Sequence, residues 1–140
     1  MSHLAKVYVF KIGATLLAWC VPLLLLPGWV LTELGFPPQD TYMWVRMLGW
    51  AYLALCVGYG VGLKAALRGE YIEGPVYVGL VSNGGACVFL SWYALTGTWR
   101  EWGAMIQFIG WSSIVATFLI TLGLYVFGVR AHGGVQEEKT

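Results

Sequence analysis

The stretch Met43 to Lys64, MWVRMLGWAYLALCVGYGVGLK, decides the fold. It is apolar and long enough to cross a bilayer, whose hydrocarbon core takes about 20 helical residues. Before its terminal lysine it carries one charge, Arg46, in its first turns. It is also threaded with Gly49, Gly58, Gly60 and Gly62. A charge and a set of glycines in a membrane helix imply close neighbours.

Composition extends that reading to the whole chain. Of 140 residues, 59% are hydrophobic and 11% charged, where a soluble domain carries roughly 25% charge. So short a chain has too much surface to hide the difference in a core. The bilayer supplies the second apolar medium. Aromatics make up 16% of the chain, with 8 Trp and 8 Tyr, which suits belts at headgroup level. A net charge of +1 gives no footprint for nucleic acid.

Outward from the opening stretch, hydropathy and breakers mark three more spans. Val7 to Leu31 holds Pro22 inside it, which should kink the helix. Its lysines, Lys6 and Lys11, resemble the start of a signal peptide, but no small-x-small cleavage site follows, so it reads as an uncleaved first span. Pro37-Pro38 is a rigid break, and Asp40 or Thr41 can cap the second span. Gly74-Pro75 opens the third, with proline where its missing N–H costs nothing. Thr98 and Glu101 have capping-box spacing before the fourth. The expectation is an all-α integral membrane bundle of four antiparallel up-down helices, at about 7–31, 43–63, 76–96 and 102–127. It forms one domain over residues 1–140, ending in a short polar cytoplasmic tail at 132–140.

Basic residues set the orientation. Lys6, Lys11, Lys64, Arg68, Arg130 and Lys139 fall on the side of the termini, and Arg46 and Arg100 on the other. The positive-inside rule then places both termini in the cytoplasm of a bacterial inner membrane.

Each span has one small or polar stripe. In the second, Arg46, Gly49, Leu53, Cys56 and Gly60 share a face, while Ala51, Leu55, Gly58 and Gly62 form another. Two such faces predict a helix flanked on both sides. Gly79, Asn83, Ala86, Cys87, Leu90 and Ala94 share a face of the third span. Gln107, Gly110, Ile114, Thr117 and Thr121 do so in the fourth, and Lys11, Ala14, Ala18, Pro22 and Leu25 in the first. The stripes should meet at the bundle axis, with Gly49, Gly58, Gly60, Gly62, Gly79 and Gly110 as packing positions. Depth places Arg46 at the outer interface, paired with Glu33 or Asp40 and near Gln107. Asn83 lies deeper, where an interhelical hydrogen bond is the default.

Neither histidine, His3 or His132, falls in an expected span, so haem is not expected. Every acid falls in a loop or the tail, and Cys20, Cys56 and Cys87 lack zinc-like spacing. No catalytic set and no metal cluster appears.

Arg46-Met47-Leu48-Gly49 opening the second span, the glycines from Gly58 to Gly62, and Trp102-Gly103 leading the fourth resemble the small four-span bacterial proteins grouped as DoxX-like. The resemblance covers the four-span layout. It implies the same architecture in a group that includes a subunit linked to thiosulfate:quinone oxidoreduction. No functional residue of the group carries over.

Three functions fit. The first is a non-catalytic accessory subunit of a larger membrane complex, in contact with lipids and with other subunits or copies of itself. The second is a quinone- or lipid-binding protein, with Arg46, Gln107 and Trp99, Trp102 or Tyr42 around an outer pocket. The third is a small oligomeric channel or carrier.

Overall fold

A computed structural model describes residues 1–131. Four long helices run His3–Leu25 (α1), Met43–Leu67 (α3), Glu73–Leu95 (α4) and Ala104–Arg130 (α5). A short helix, Gly28–Glu33 (α2), follows α1. There is no strand among the described residues. All four long helices have the length and hydropathy to cross a membrane, so the chain is an all-α four-helix bundle built as a multi-pass membrane protein. The tail expected at 132–140, with His132, lies outside the described residues.

The breaks follow local chemistry. Leu26 is extended, with φ −73° and ψ 134°, because proline at the next position disfavours the helical region. The first span therefore ends at Leu25 rather than running on to 31, and the chain restarts as α2. The proline effect inside α1 is a turn of π-helix, Leu16–Cys20, just ahead of Pro22; proline leaves a carbonyl without its donor, and a widened turn accommodates the loss. Tyr42, not Asp40 or Thr41, takes the cap position of α3 and makes no side-chain cap; Thr41, one place earlier, accepts from the Met43 N–H at 3.3 Å. The capping box at Thr98 and Glu101 does not form. Thr98 bonds Thr96 instead, at 3.0 Å, and α5 starts after Gly103. There the two outer connections are stitched together. Gly103 N–H donates to the Gly35 carbonyl at 3.2 Å. Gly35 has φ +98°, and a Cβ on it would come within 2.5 Å of the Gly103 Cα, so only glycine fits.

The bundle closes at the end that carries the chain termini, hereafter the inner end. Leu4, Ala5, Tyr8, Tyr59, Ala66, Val76, Ile120 and Leu124 form its core. Glycines admit the close approaches: Gly62 against Tyr8 and Pro75, Gly79 under Leu124, Gly123 under Val7 and Gly128 under Val76. His3 stacks on Phe127 with centroids 5.0 Å apart. It is the first residue of α1, not a residue outside the spans.

Packing is strongest between α1 and α3 and between α4 and α5. That corrects the picture of the second span as a helix flanked along both faces. Gly49 is closed by Leu23 and Leu24, and Gly62 by Tyr8 and Pro75, but Gly58 and Gly60 have nothing within 4 Å of a modest side chain. Because α4 follows α5 rather than α3, an apolar trough stays open beside Gly58, Val61 and Val78. The striped faces of α4 and α5 do meet: Gly84 lies against Thr121, and the Cys87 thiol points at the Ile114 carbonyl at 3.8 Å.

A buried lysine and an aromatic cavity

Lys11 is the charge that sequence reasoning misplaced. It is only 4% exposed, not a residue of the inner interface. Helical rise puts it about 12 Å into α1, level with Tyr59 at about 12 Å into α3 from its inner end and Asn83 at about 15 Å into α4. This is close to mid-membrane in a core about 30 Å thick. Its amino group donates to Asn83 Oδ1 at 2.8 Å and stands 4.1 Å from the centre of the Tyr59 ring. Asn83 Nδ2 donates to the Gly79 carbonyl at 2.6 Å, and the Tyr59 hydroxyl bonds Ser82 at 2.8 Å. Asn83 thus makes its interhelical bond, and its partner is a lysine. An ionisable group at this depth costs ~2.5–3.5 kcal/mol or more, so the acceptor and the ring face decide whether α1 can sit here. The signal was available: Lys11 heads the small-residue stripe of α1. The helix begins at His3 rather than Val7, which sinks the lysine about 6 Å deeper than its place in the expected span implied.

Arg46 does stand at the outer end of α3, but its partners are not carboxylates. Its guanidinium donates to the backbone carbonyls of Leu23 and Leu26. These are carbonyls at the C-terminal end of α1, where a cation also meets the negative end of the helix dipole. Glu33 and Asp40 are exposed, and neither takes the arginine. Five fixed donors in a planar fork suit two adjacent carbonyls, whereas an exposed carboxylate offers little net energy. Gln107 does not reach Arg46 either. Its amide donates to the carbonyls of Trp102 at 2.7 Å and Arg100 at 3.1 Å, tying the last outer loop to α5.

A cavity of about 530 Å³ lies in the outer half of the bundle, lined from the four spans by Trp19, Tyr52, Tyr93 and Ile106 and from the last outer loop by Trp99 and Trp102. Trp99 is its central wall. It lies across Gly110, where a Cβ would come within 1.5 Å of the ring. It stacks on Trp111 with centroids 6.0 Å apart and 10° between planes, and meets Trp102 edge-on at 6.3 Å. Trp99 is 6% exposed, and its indole Nε1–H finds no acceptor among the described residues. A buried indole normally has a partner, and an unmet donor costs about 1–3 kcal/mol. Of the residues expected around an outer pocket, Trp99 and Trp102 line this cavity. Arg46 and Gln107 do not, and Tyr42 is held elsewhere, by Thr32 at 2.9 Å. Trp19 and Tyr52 were missed; their rings meet at 5.6 Å, brought together by the π turn of α1.

Comparison of the chain with protein-family models, with curated proteins and with solved structures gave no match.

Proposed function

We propose that this membrane protein holds a membrane-soluble amphiphile, a quinone or a lipid, in the aromatic cavity of its outer half. One observation carries the reading: Trp99, whose buried indole N–H has no acceptor among the described residues, forms part of the cavity wall. A ligand carbonyl or ester oxygen would supply it once the ring turns toward the cavity. The surrounding rings offer flat apolar faces for the rest of the ligand head. Buried Lys11, with Asn83 and Tyr59, then fixes the helices beneath the cavity. The test is extraction and native mass spectrometry of protein purified gently from its own membrane. A quinone or lipid bound one per chain is expected, and Trp99→Phe, which keeps a ring but removes the donor, should release it. A bare wild-type protein, or equal retention by the variant, would overturn the reading.

The accessory-subunit reading has its own support in the open trough beside Gly58 and Gly60. A helix of a larger bacterial inner-membrane complex could approach there closely. Gly58→Leu would then leave the isolated protein folded but abolish co-purification of a membrane partner. Unchanged co-purification would sink that reading. Cytoplasmic termini follow from the remaining basic residues at the inner end, Lys6, Lys64, Arg68 and Arg130, and protease access to tagged termini tests them.

A further inference from the structure

A second void shares part of its wall with the first. Between α1 and α5 runs a groove of about 300 Å³, lined by Ala14, Ala18, Asn83, Ser113, Ala116 and Thr117 among others. It shares Trp19 and Ile109 with the outer cavity. We infer that the ligand passes between α1 and α5, its head in the cavity and one long apolar tail in the groove. The occupant is therefore a flat, carbonyl-bearing ring with a single chain, a prenyl-tailed quinone. This rests on the ligand reading of the cavity and adds the path and class of its ligand.

The two helices close on each other at their inner ends. Val7 fills the space over Gly123 there; farther out, alanines and serines leave a channel. Its span along α5, from Phe108 to Ile120, is about 18 Å. Leu17 and Phe108, at 74% and 68% exposure, flank it on the lipid side. Although Thr117 lines it, that hydroxyl is returned to the Ser113 carbonyl at 2.7 Å, so the wall it presents is largely apolar. Asn83 closes the inner end near mid-membrane. A ligand so placed has its head in the outer half and its tail pointing to the bilayer centre, the orientation of any amphiphile in that leaflet. Trp19 stands between the two voids on the π turn Leu16–Cys20, and such turns often re-aim a residue at a functional site. Aromatic walls at Tyr93, Trp99 and Trp102 favour a flat ring over a glycerol head, and one groove accommodates one chain.

Two photoactivatable benzoquinones test this in lipid nanodiscs. One carries a diazirine on the ring and a short tail; the other carries it at the end of a prenyl tail. Peptide mapping should place the ring label around Tyr93, Trp99 and Trp102, and the tail label on residues 14–18 and 112–117. Ala116→Phe, which fills the groove, should reduce tail labelling there to background and leave labelling by the short-tailed ring probe unchanged. Ring labelling at the cavity with tail labels scattered over the lipid-facing surface, or beside Gly58, would overturn the tail path alone. Absence of ring labelling at the cavity would overturn the ligand reading and this inference with it.

Discussion

Replacing Asn83 by leucine removes the oxygen that accepts the Lys11 hydrogen bond. Nζ lies 2.8 Å from Asn83 Oδ1 in the wild-type bundle, and the lysine is too buried to turn toward water. A hydrogen bond to a charged group contributes about 1.5–3 kcal/mol. The Tyr59 ring, 4.1 Å away, still interacts and retains about 0.5–2 kcal/mol, so the variant should fold. The Gly79 carbonyl that loses Asn83 Nδ2 remains within its helix, so little is lost there. Asn83→Leu should therefore destabilise the bundle by about 1.5–3 kcal/mol, roughly a 10- to 150-fold rise in the unfolding constant. Adding Lys11→Met removes the stranded group, and the double variant should be more stable than Asn83→Leu alone, because removing both partners of a buried bond can be nearly neutral. Steric-trap or denaturant unfolding in bicelles measures all four corners of the cycle. A single variant within about 0.5 kcal/mol of wild type, or a second substitution whose cost simply adds, would refute the reasoning.

Other consequences are as direct. Gly110→Ala would place a methyl in the Trp99 ring; overpacking of this kind costs about 1–3 kcal/mol, and the moved ring should show as a changed near-ultraviolet dichroism. Gly79→Ala should cost a similar amount, because its Cβ would meet Leu124 at 2.4 Å, whereas Gly60→Ala, into open space, should be neutral or stabilising by about 0.5–1 kcal/mol; thermal unfolding in detergent separates the two. Arg46→Met uncaps the outer end of α1 and should raise hydrogen exchange at residues 21–26 while leaving Lys11 and the inner core protected.

The four spans were legible because hydropathy and proline placement are local properties, and Thr41 and Pro75 act on the backbone beside them. The partners of charges were not. Arg46 went to backbone carbonyls of Leu23 and Leu26, which carry no sequence signature, so the nearest acids, Glu33 and Asp40, drew the expectation instead. Lys11 followed the positive-inside count because a short error in where α1 begins becomes an error in depth. Gly58 and Gly60 differ from Gly49 and Gly62 only in which neighbour arrives, and pairing of α4 with α5 rather than α3 decides that. Trp99 and Trp102 could be named as outer aromatics, but Trp19 joins them only because Pro22 widens the turn that carries it.

In the proposed complex the Trp99 indole N–H takes its acceptor from the ligand in the outer cavity. Protein labelled with ¹⁵N-tryptophan gives one indole signal for each of its 8 tryptophans, each assignable by a single Trp-to-Phe substitution. Titration with a short-tailed benzoquinone should move the Trp99 signal downfield as its hydrogen bond forms, shift Trp19 and Trp102 at the same cavity, and leave the exposed Trp29, Trp44, Trp50 and Trp92 unchanged. A Trp99 signal that stays fixed while the exposed indoles move would contradict the account.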